Sequence, residues 1–403
     1  MKVPFSPPYI DDDVKKEVAE VLNSGWITTG PKTRQLEELV AGFCNVDAAL
    51  AVNSATSALM LVLHWLGVKR GDEVIVPAYT YCATALAVMH VGAKPVMVDV
   101  GDDFTISPAA VARAITPNTK AVIAVDLGGW PCDYEAIYQV IESSSAKALF
   151  NAGSPVQQQL GRILLLADAA HSIGAVYHNQ PAGELADITV FSFHAVKNLT
   201  TAEGGMICCN MPSPFDNRLL YQTLKLWSLN GQTKDAYTKT LGTSWRYDIV
   251  YPGFKMNMPD VLAAIGLAQF KKYGALLKER KRVFDFYTAV FSGYGWAICP
   301  PFDAPGRNSS YHLFPLQVKS ATEQQRDDII DLILKEGISV NVHFVPMPML
   351  TIFKENYNIQ DYPVSYRLYS REISLPVYPQ LTNEQARAVT DAVIKAVEAV
   401  LHV

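Results

Sequence analysis

The chain has 403 residues, 49% of them hydrophobic, and a formal net charge of −5. That length can bury a large core in two lobes, and the acidic balance, with a pI of about 5.9, argues against a nucleic-acid partner. No run of about 18 apolar residues marks a membrane span, and Met1-Lys2-Val3-Pro4 lacks the apolar centre of a signal peptide.

Six cysteines are scattered without metal-ligand spacing, which reads as free thiols in a reducing cytoplasm. Cys208 and Cys209 are adjacent, and neighbours on one strand point to opposite faces. From Ala48 to about Val190, strand-like runs alternate with helical patterns: Glu73–Val76, Ala83–Val91, Pro95–Val98, Ala121–Val125, Tyr134–Glu142 and Ile163–Leu166. Alternation of this kind predicts an α/β layer with a mostly parallel sheet.

Four segments of that layer carry chemistry. In Leu50-Ala51-Val52-Asn53-Ser54-Ala55-Thr56-Ser57 a short strand meets small polar residues and then a helical pattern, with Asn53 or Ser54 as the cap. Free N–H groups and the helix dipole there favour an anion. Val74-Ile75-Val76-Pro77-Ala78-Tyr79-Thr80-Tyr81 delivers tyrosines to the C-terminal edge of a buried strand, where ligands of open α/β sheets bind. Arg162 to His171 is a doubly buried strand ending in Asp168, an acid that needs a partner; a pyridinium nitrogen is one. Finally, Ile188–Phe193 runs into His194-Ala195-Val196-Lys197 and then the pair Gly204-Gly205. A partly desolvated lysine at a strand end deprotonates readily and can form a Schiff base with pyridoxal phosphate (PLP). Each segment alone also reads as ordinary capping or core. Their joint occurrence, each at a strand end, points to one site.

The remaining pattern is a second lobe. Pro259 suits the first turn of a long helix through Val261, Ile265, Leu267 and Phe270. A strand (His312–Val318), a helix (Thr322–Glu336), a strand (Ser339–His343) and a last helix (Asn383–Leu401) follow. The basic run Lys278-Glu279-Arg280-Lys281-Arg282 reads as a solvated helix face.

With Val3–Pro8, Ser24–Pro31, Pro252–Asp260, Val342–Pro346 and Ser374–Pro379 added to the four segments, the chain resembles the sugar aminotransferases of the DegT/DnrJ/StrS family. These are PLP enzymes of fold type I. The resemblance implies an N-terminal arm and a large PLP-binding α/β domain with a mostly parallel mixed sheet flanked by helices, together 1–258, and a smaller C-terminal α+β domain, 259–403. It implies that Lys197 holds PLP covalently as an internal aldimine, and that Asp168 partners the ring nitrogen. His171 then lies beside the ring and Tyr81 stacks on it, while Ser54, Ala55, Thr56 and Ser192 take the phosphate. The stretch Gly253–Met258, through Lys255 or Asn257, reaches a neighbour's phosphate in a homodimer. Many members have Asn where this chain has Lys255. Trp26 and Thr28 of the Trp26–Gly30 loop, Lys255, Asn257 and His343 are substrate-side candidates.

Two more departures stand out. Asp126-Leu127-Gly128 lacks the histidine often found before that glycine, and the stretch between Asp133 and Arg162 is long. That stretch is expected to alter the surface near the cofactor pocket. The implied activity is transfer of an amino group from glutamate, leaving 2-oxoglutarate, to a nucleotide-linked keto sugar. A UDP-linked 4-keto-6-deoxyhexose, giving a 4-amino product for surface polysaccharide, is the expected acceptor. A PLP-dependent sugar dehydratase on the same scaffold is the main rival; there the lysine is typically replaced by histidine, and Lys197 speaks against it. A non-catalytic sensor of PLP or sugar nucleotide is the other, and it should have lost part of the constellation.

Overall fold

The computed structural model describes residues 2–234 and 246–402. Seven strands form the central sheet: β1 (Ala48–Val52), β2 (Glu73–Pro77), β3 (Lys94–Val98), β4 (Thr119–Val125), β5 (Leu164–Asp168), β6 (Ile188–Ser192) and β7 (Gly205–Cys209). Their spatial order is β1-β7-β6-β5-β4-β2-β3. β7 is antiparallel to both neighbours, and every other pairing is parallel. The C-terminal ends of β1, β2, β4, β5 and β6 therefore meet at one edge, together with the start of β7.

The continuous apolar runs follow from burial on both faces. Val122, Ala124, Leu165, Ala167 and Cys208 face one core, and Ala121, Ile123, Leu164, Leu166 and Cys209 face the other. The two adjacent cysteines thus point apart, and all six cysteines are free. The glycine at the head of β7 has a steric cause: a Cβ on Gly205 would lie 2.7 Å from the backbone of Ser54 and Ala55.

A third core fills the C-terminal lobe around Phe284, Phe314, Ile329, Ile373 and Val393. Its sheet joins Ala297–Ile298, Phe314–Val318 and Glu372–Leu375, all antiparallel. Helices Glu323–Lys335 and Asn383–Leu401 cover it, each opened by a capping box, at Thr322 and Thr382. Such caps stabilise a helix by about 1 kcal/mol. The helix Tyr273–Phe291 belongs to both lobes, with Tyr273 in a large-lobe core and Val283, Phe284, Tyr287 and Phe291 in the small one. Among the described residues no helix is long and apolar enough to cross a membrane.

Four expectations change. Pro259 is the N-cap, not the first turn, of Asp260–Phe270. Ser339–His343 forms no strand; its ladder is a single bridge from Asn341 to Ser374. The basic run is not wholly solvated: Arg280 is buried and donates to the carbonyl of Val377 at 3.0 Å. Burial pulls its guanidinium down to about 10.

The long stretch after Asp133 lies away from the expected place. It contains helices Tyr134–Ile141, Ser144–Leu149 and Pro155–Leu160. Ser154 Oγ and Gln157 Nε2 both donate to the Leu66 carbonyl, at 2.7 and 3.1 Å. Lys120, at the beginning of β4, donates to the Asn151 carbonyl at 2.6 Å. Leu66 ends the helix that starts at Ser54. The stretch thus covers the N-terminal edge of the sheet, opposite the strand ends that carry the site.

Candidate active site

A cavity of about 500 Å³ opens at the C-terminal edge of the sheet. Ser54, Ala55, Thr56, Tyr81, Asp168, His171, Ser192, Lys197 and His343 all line it. Nine of the expected residues, spread over nearly 300 positions, thus come together because parallel strands end on one side.

Ser54 is the N-cap of helix Ala55–Trp65, and its hydroxyl accepts from Ser57 N at 3.1 Å. The N–H groups of Ala55 and Thr56 belong to the first turn, where the helix offers no internal acceptor. With the Ser192 hydroxyl on the same wall, this end of the cavity is built for an anion.

Asp168 ends β5. Its Oδ2 accepts from Thr84 Oγ1 at 2.7 Å, and its Oδ1 has only a 3.3 Å contact from Ala170 N. Burial raises its pKa; Thr84, Ala170 and the Lys197 charge oppose the shift. Lys197 sits in the loop after β6. Burial pulls its amine down to about 8, against the attraction of Asp168. A lysine so placed holds a substantial neutral fraction near physiological pH.

His171 Nδ1 accepts from Gly128 N at 3.2 Å, which leaves the ring proton on Nε2. The Asp126–Gly128 loop therefore supplies a backbone donor to the ring. Burial, then Lys197 and His343, hold His171 well below its ordinary pKa, so it is a neutral donor. Tyr81 is 59% exposed and lines the cavity, with the tilted ring of Phe344 5.6 Å away.

The lining of this cavity does not include Trp26, Thr28, Lys255 or Asn257. Trp26 Nε1 donates to the Thr29 carbonyl at 3.3 Å, and Thr28 is exposed. Lys255 Nζ donates to Asn257 Oδ1 and Asn257 Nδ2 to Thr29 Oγ1, each at 2.6 Å. This chain of contacts runs beside the end of β1, where Asn53 N donates to the Met256 carbonyl at 2.7 Å.

Three participants escaped sequence reasoning. Thr84 holds Asp168 from 84 positions away. His312 packs against His171 with centroids 4.3 Å apart and the rings tilted by 39°, and Asn198 orients it at 2.9 Å. Phe5, from the N-terminal arm, stacks on His343 at 5.4 Å. Nothing local marks them, because each is defined by a partner distant in the chain.

Architecture and pocket chemistry are those of the PLP-dependent aminotransferases of fold type I. The donor set fits the cofactor: an anion cradle, an exposed aromatic ring, a carboxylate with one oxygen spare and a buried amine. Comparison with known proteins is more specific. The profile of the DegT/DnrJ/EryC1/StrS aminotransferase family matches residues 8–394, and the chain belongs to that family. The spore coat polysaccharide biosynthesis protein SpsC of Bacillus subtilis is 35% identical over 397 residues, covering 97% of this chain and 96% of its own. Spr1654 of Streptococcus pneumoniae in its PMP form superposes with a TM-score of 0.95 at 40% identity, over 100% of this chain and 99% of that one. The same protein is known in PLP and apo forms. Helicobacter pylori PseC, an aminotransferase involved in the biosynthesis of pseudoaminic acid, gives 0.86 at 28% identity, over 99% and 100% of the two chains.

Proposed function

We propose that this aminotransferase moves an amino group from glutamate to a nucleotide-linked keto sugar. The acceptor is a UDP-linked 4-keto-6-deoxyhexose, converted to its 4-amino sugar for surface polysaccharide. The observation that carries amino transfer is Lys197: a buried amine held near pKa 8 in the pocket that also holds Asp168. The sugar reading is supported by SpsC and PseC, whose names place them in polysaccharide and pseudoaminic acid biosynthesis.

Bound PLP supplies a ring that withdraws electrons from the carbon losing its proton. The rest is the work of side chains. Ala55 and Thr56 N–H and the Ser54 and Ser192 hydroxyls bind the phosphate. Tyr81 covers one face of the ring. Asp168 Oδ1 accepts the ring N–H, and the ion pair relieves a carboxylate that burial otherwise disfavours. His171 Nε2–H donates to the ring oxygen. Lys197 Nζ would hold the cofactor and, once displaced by the donor's amine, would be free to take the proton from the donor's α-carbon as general base and give it up again as general acid. In a two-fold dimer the Gly253–Met258 stretch, through Lys255 or Asn257, completes the phosphate site of the second copy.

The test is the absorbance of the protein with PLP before and after glutamate, for wild type and Lys197→Ala. A visible band that glutamate bleaches only in wild type is the expected result. A band that glutamate leaves unchanged sinks the donor assignment, and no band in either protein sinks the cofactor role of Lys197.

A further inference from the structure

Behind one pocket wall runs a line of polar groups that the chemistry above leaves unused. The bridge Asn341–Ser374 sets an antiparallel register that puts His343 opposite Glu372. There the His343 N–H donates to the side chain, Glu372 Oε2, at 2.9 Å. Glu372 and Ser374 alternate on one strand and so share a face. Ser374 Oγ donates to Glu372 Oε1 and stands 2.9 Å from His343 Nδ1. Both are fully buried, while the His343 ring lines the cavity. Nδ1 is turned to Ser374, so Nε2 lies on the opposite edge of the ring, 3.5 Å from Nδ2 of the exposed Asn341.

We infer that His343, Ser374 and Glu372 form a proton relay: Nε2 of His343 takes a proton from the ammonium group of the incoming amino donor, and Glu372 stores it. This rests on the amino-donor reading above. The step balances. An N–H bond of the ammonium breaks and Nε2–H forms; the proton on Nδ1 passes to Ser374 Oγ, and the serine's own proton passes to Glu372 Oε1. The substrate amine is left neutral and nucleophilic. The second half of the reaction reverses the chain.

The surroundings suit the two ends. The Arg326 guanidinium, near Glu372, donates to the carbonyls of Tyr369 and Glu372, not to the carboxylate. The Tyr79 phenol, held well above its ordinary value first by burial, also feels the charge of Glu372. Burial pushes Glu372 up to about 8, opposed by Ser374, the His343 N–H and Arg326. Burial and then Lys197 pull His343 down to about 4, while His171 and His312 stand in the same pocket as neutral rings. Only the ionised carboxylate of Glu372 can receive the proton, so the relay accepts in the fraction of molecules that grows as pH rises through about 8, and an imidazole as weakly basic as His343 passes the proton on.

The relay makes the His343 tautomer depend on Glu372. With the carboxylate ionised the ring proton sits on Nδ1; with it protonated every bond in the chain reverses and the proton sits on Nε2. Nitrogen NMR of histidine-labelled holoenzyme should therefore show Nε2 changing from acceptor to N–H as pH falls through about 8. Glu372→Gln and Ser374→Ala should each abolish that change. In rapid mixing with glutamate above pH 8, where Glu372 is ionised, Glu372→Gln should slow the first half-reaction by about 100-fold, with PLP still bound, and the difference from wild type should shrink as pH falls. A wild-type tautomer that never changes, or Glu372→Gln rates equal to wild type at every pH, overturns the relay. If wild type gives no spectral change with glutamate, the donor reading is what fails, and the titration still decides whether the chain conducts.

Discussion

The hydroxyl of Thr84 donates a 2.7 Å hydrogen bond to Oδ2 of Asp168. It comes from the helix after β2 and reaches the end of β5, two strands away in the sheet. One oxygen is thereby occupied, and Oδ1 keeps only the 3.3 Å contact from Ala170 N. Thr84→Val keeps the shape and deletes the donor. Loss of a donor to a buried carboxylate costs about 1–3 kcal/mol. Urea unfolding of the apoprotein should show that loss at neutral pH, and PLP titration should show weaker binding. Unchanged values on both counts mean that the bond is not made in solution.

Lys197 gives a pH dependence with a definite sign. Its amine is at about 8 in the folded protein against an ordinary 10.5. Between those values the unfolded chain binds more protons, so stability rises with pH across the window and the cost of the buried amine is fully present below it. Lys197→Met removes the slope. Apoprotein of that variant should be more stable than wild type at pH 7 by up to about 3 kcal/mol, and the advantage should fade toward pH 10. Denaturation curves at several pH values measure this directly.

Gly205→Ala tests the cradle. The added Cβ meets the Ser54 and Ala55 backbone at 2.7 Å, so the loop must move. The affinity for PLP should fall by about tenfold or more, which corresponds to about 1.4 kcal/mol. Fluorescence titration with PLP reads it, and wild-type affinity means the loop yields without harm.

Ser154→Ala probes the opposite edge. It removes both a helix cap and the bond to Leu66. Stability should drop by about 1 kcal/mol, with the affinity for PLP unchanged. A large change in cofactor binding would mean that the Asp133–Arg162 stretch communicates with the pocket after all.

The sequence by itself determined the layer and nine of the residues that line the cavity at its edge. Strand-ending residues such as Ser54, Asp168 and Lys197 were legible because apolar runs mark β1, β5 and β6, and parallel strands must end on one side. The last helix, Asn383–Leu401, was equally readable, since its periodicity is local. Tertiary structure alone decided what depends on contacts across the chain. It turned Arg280 inward to Val377, sent the long stretch after Asp133 to the far edge, and reduced Ser339–His343 to one bridge. It also placed Thr84 on Asp168, and His343 opposite Glu372. The physical reason is that periodicity and capping report bonds within a few residues, whereas a buried polar group is satisfied by whichever distant donor the packed fold brings near.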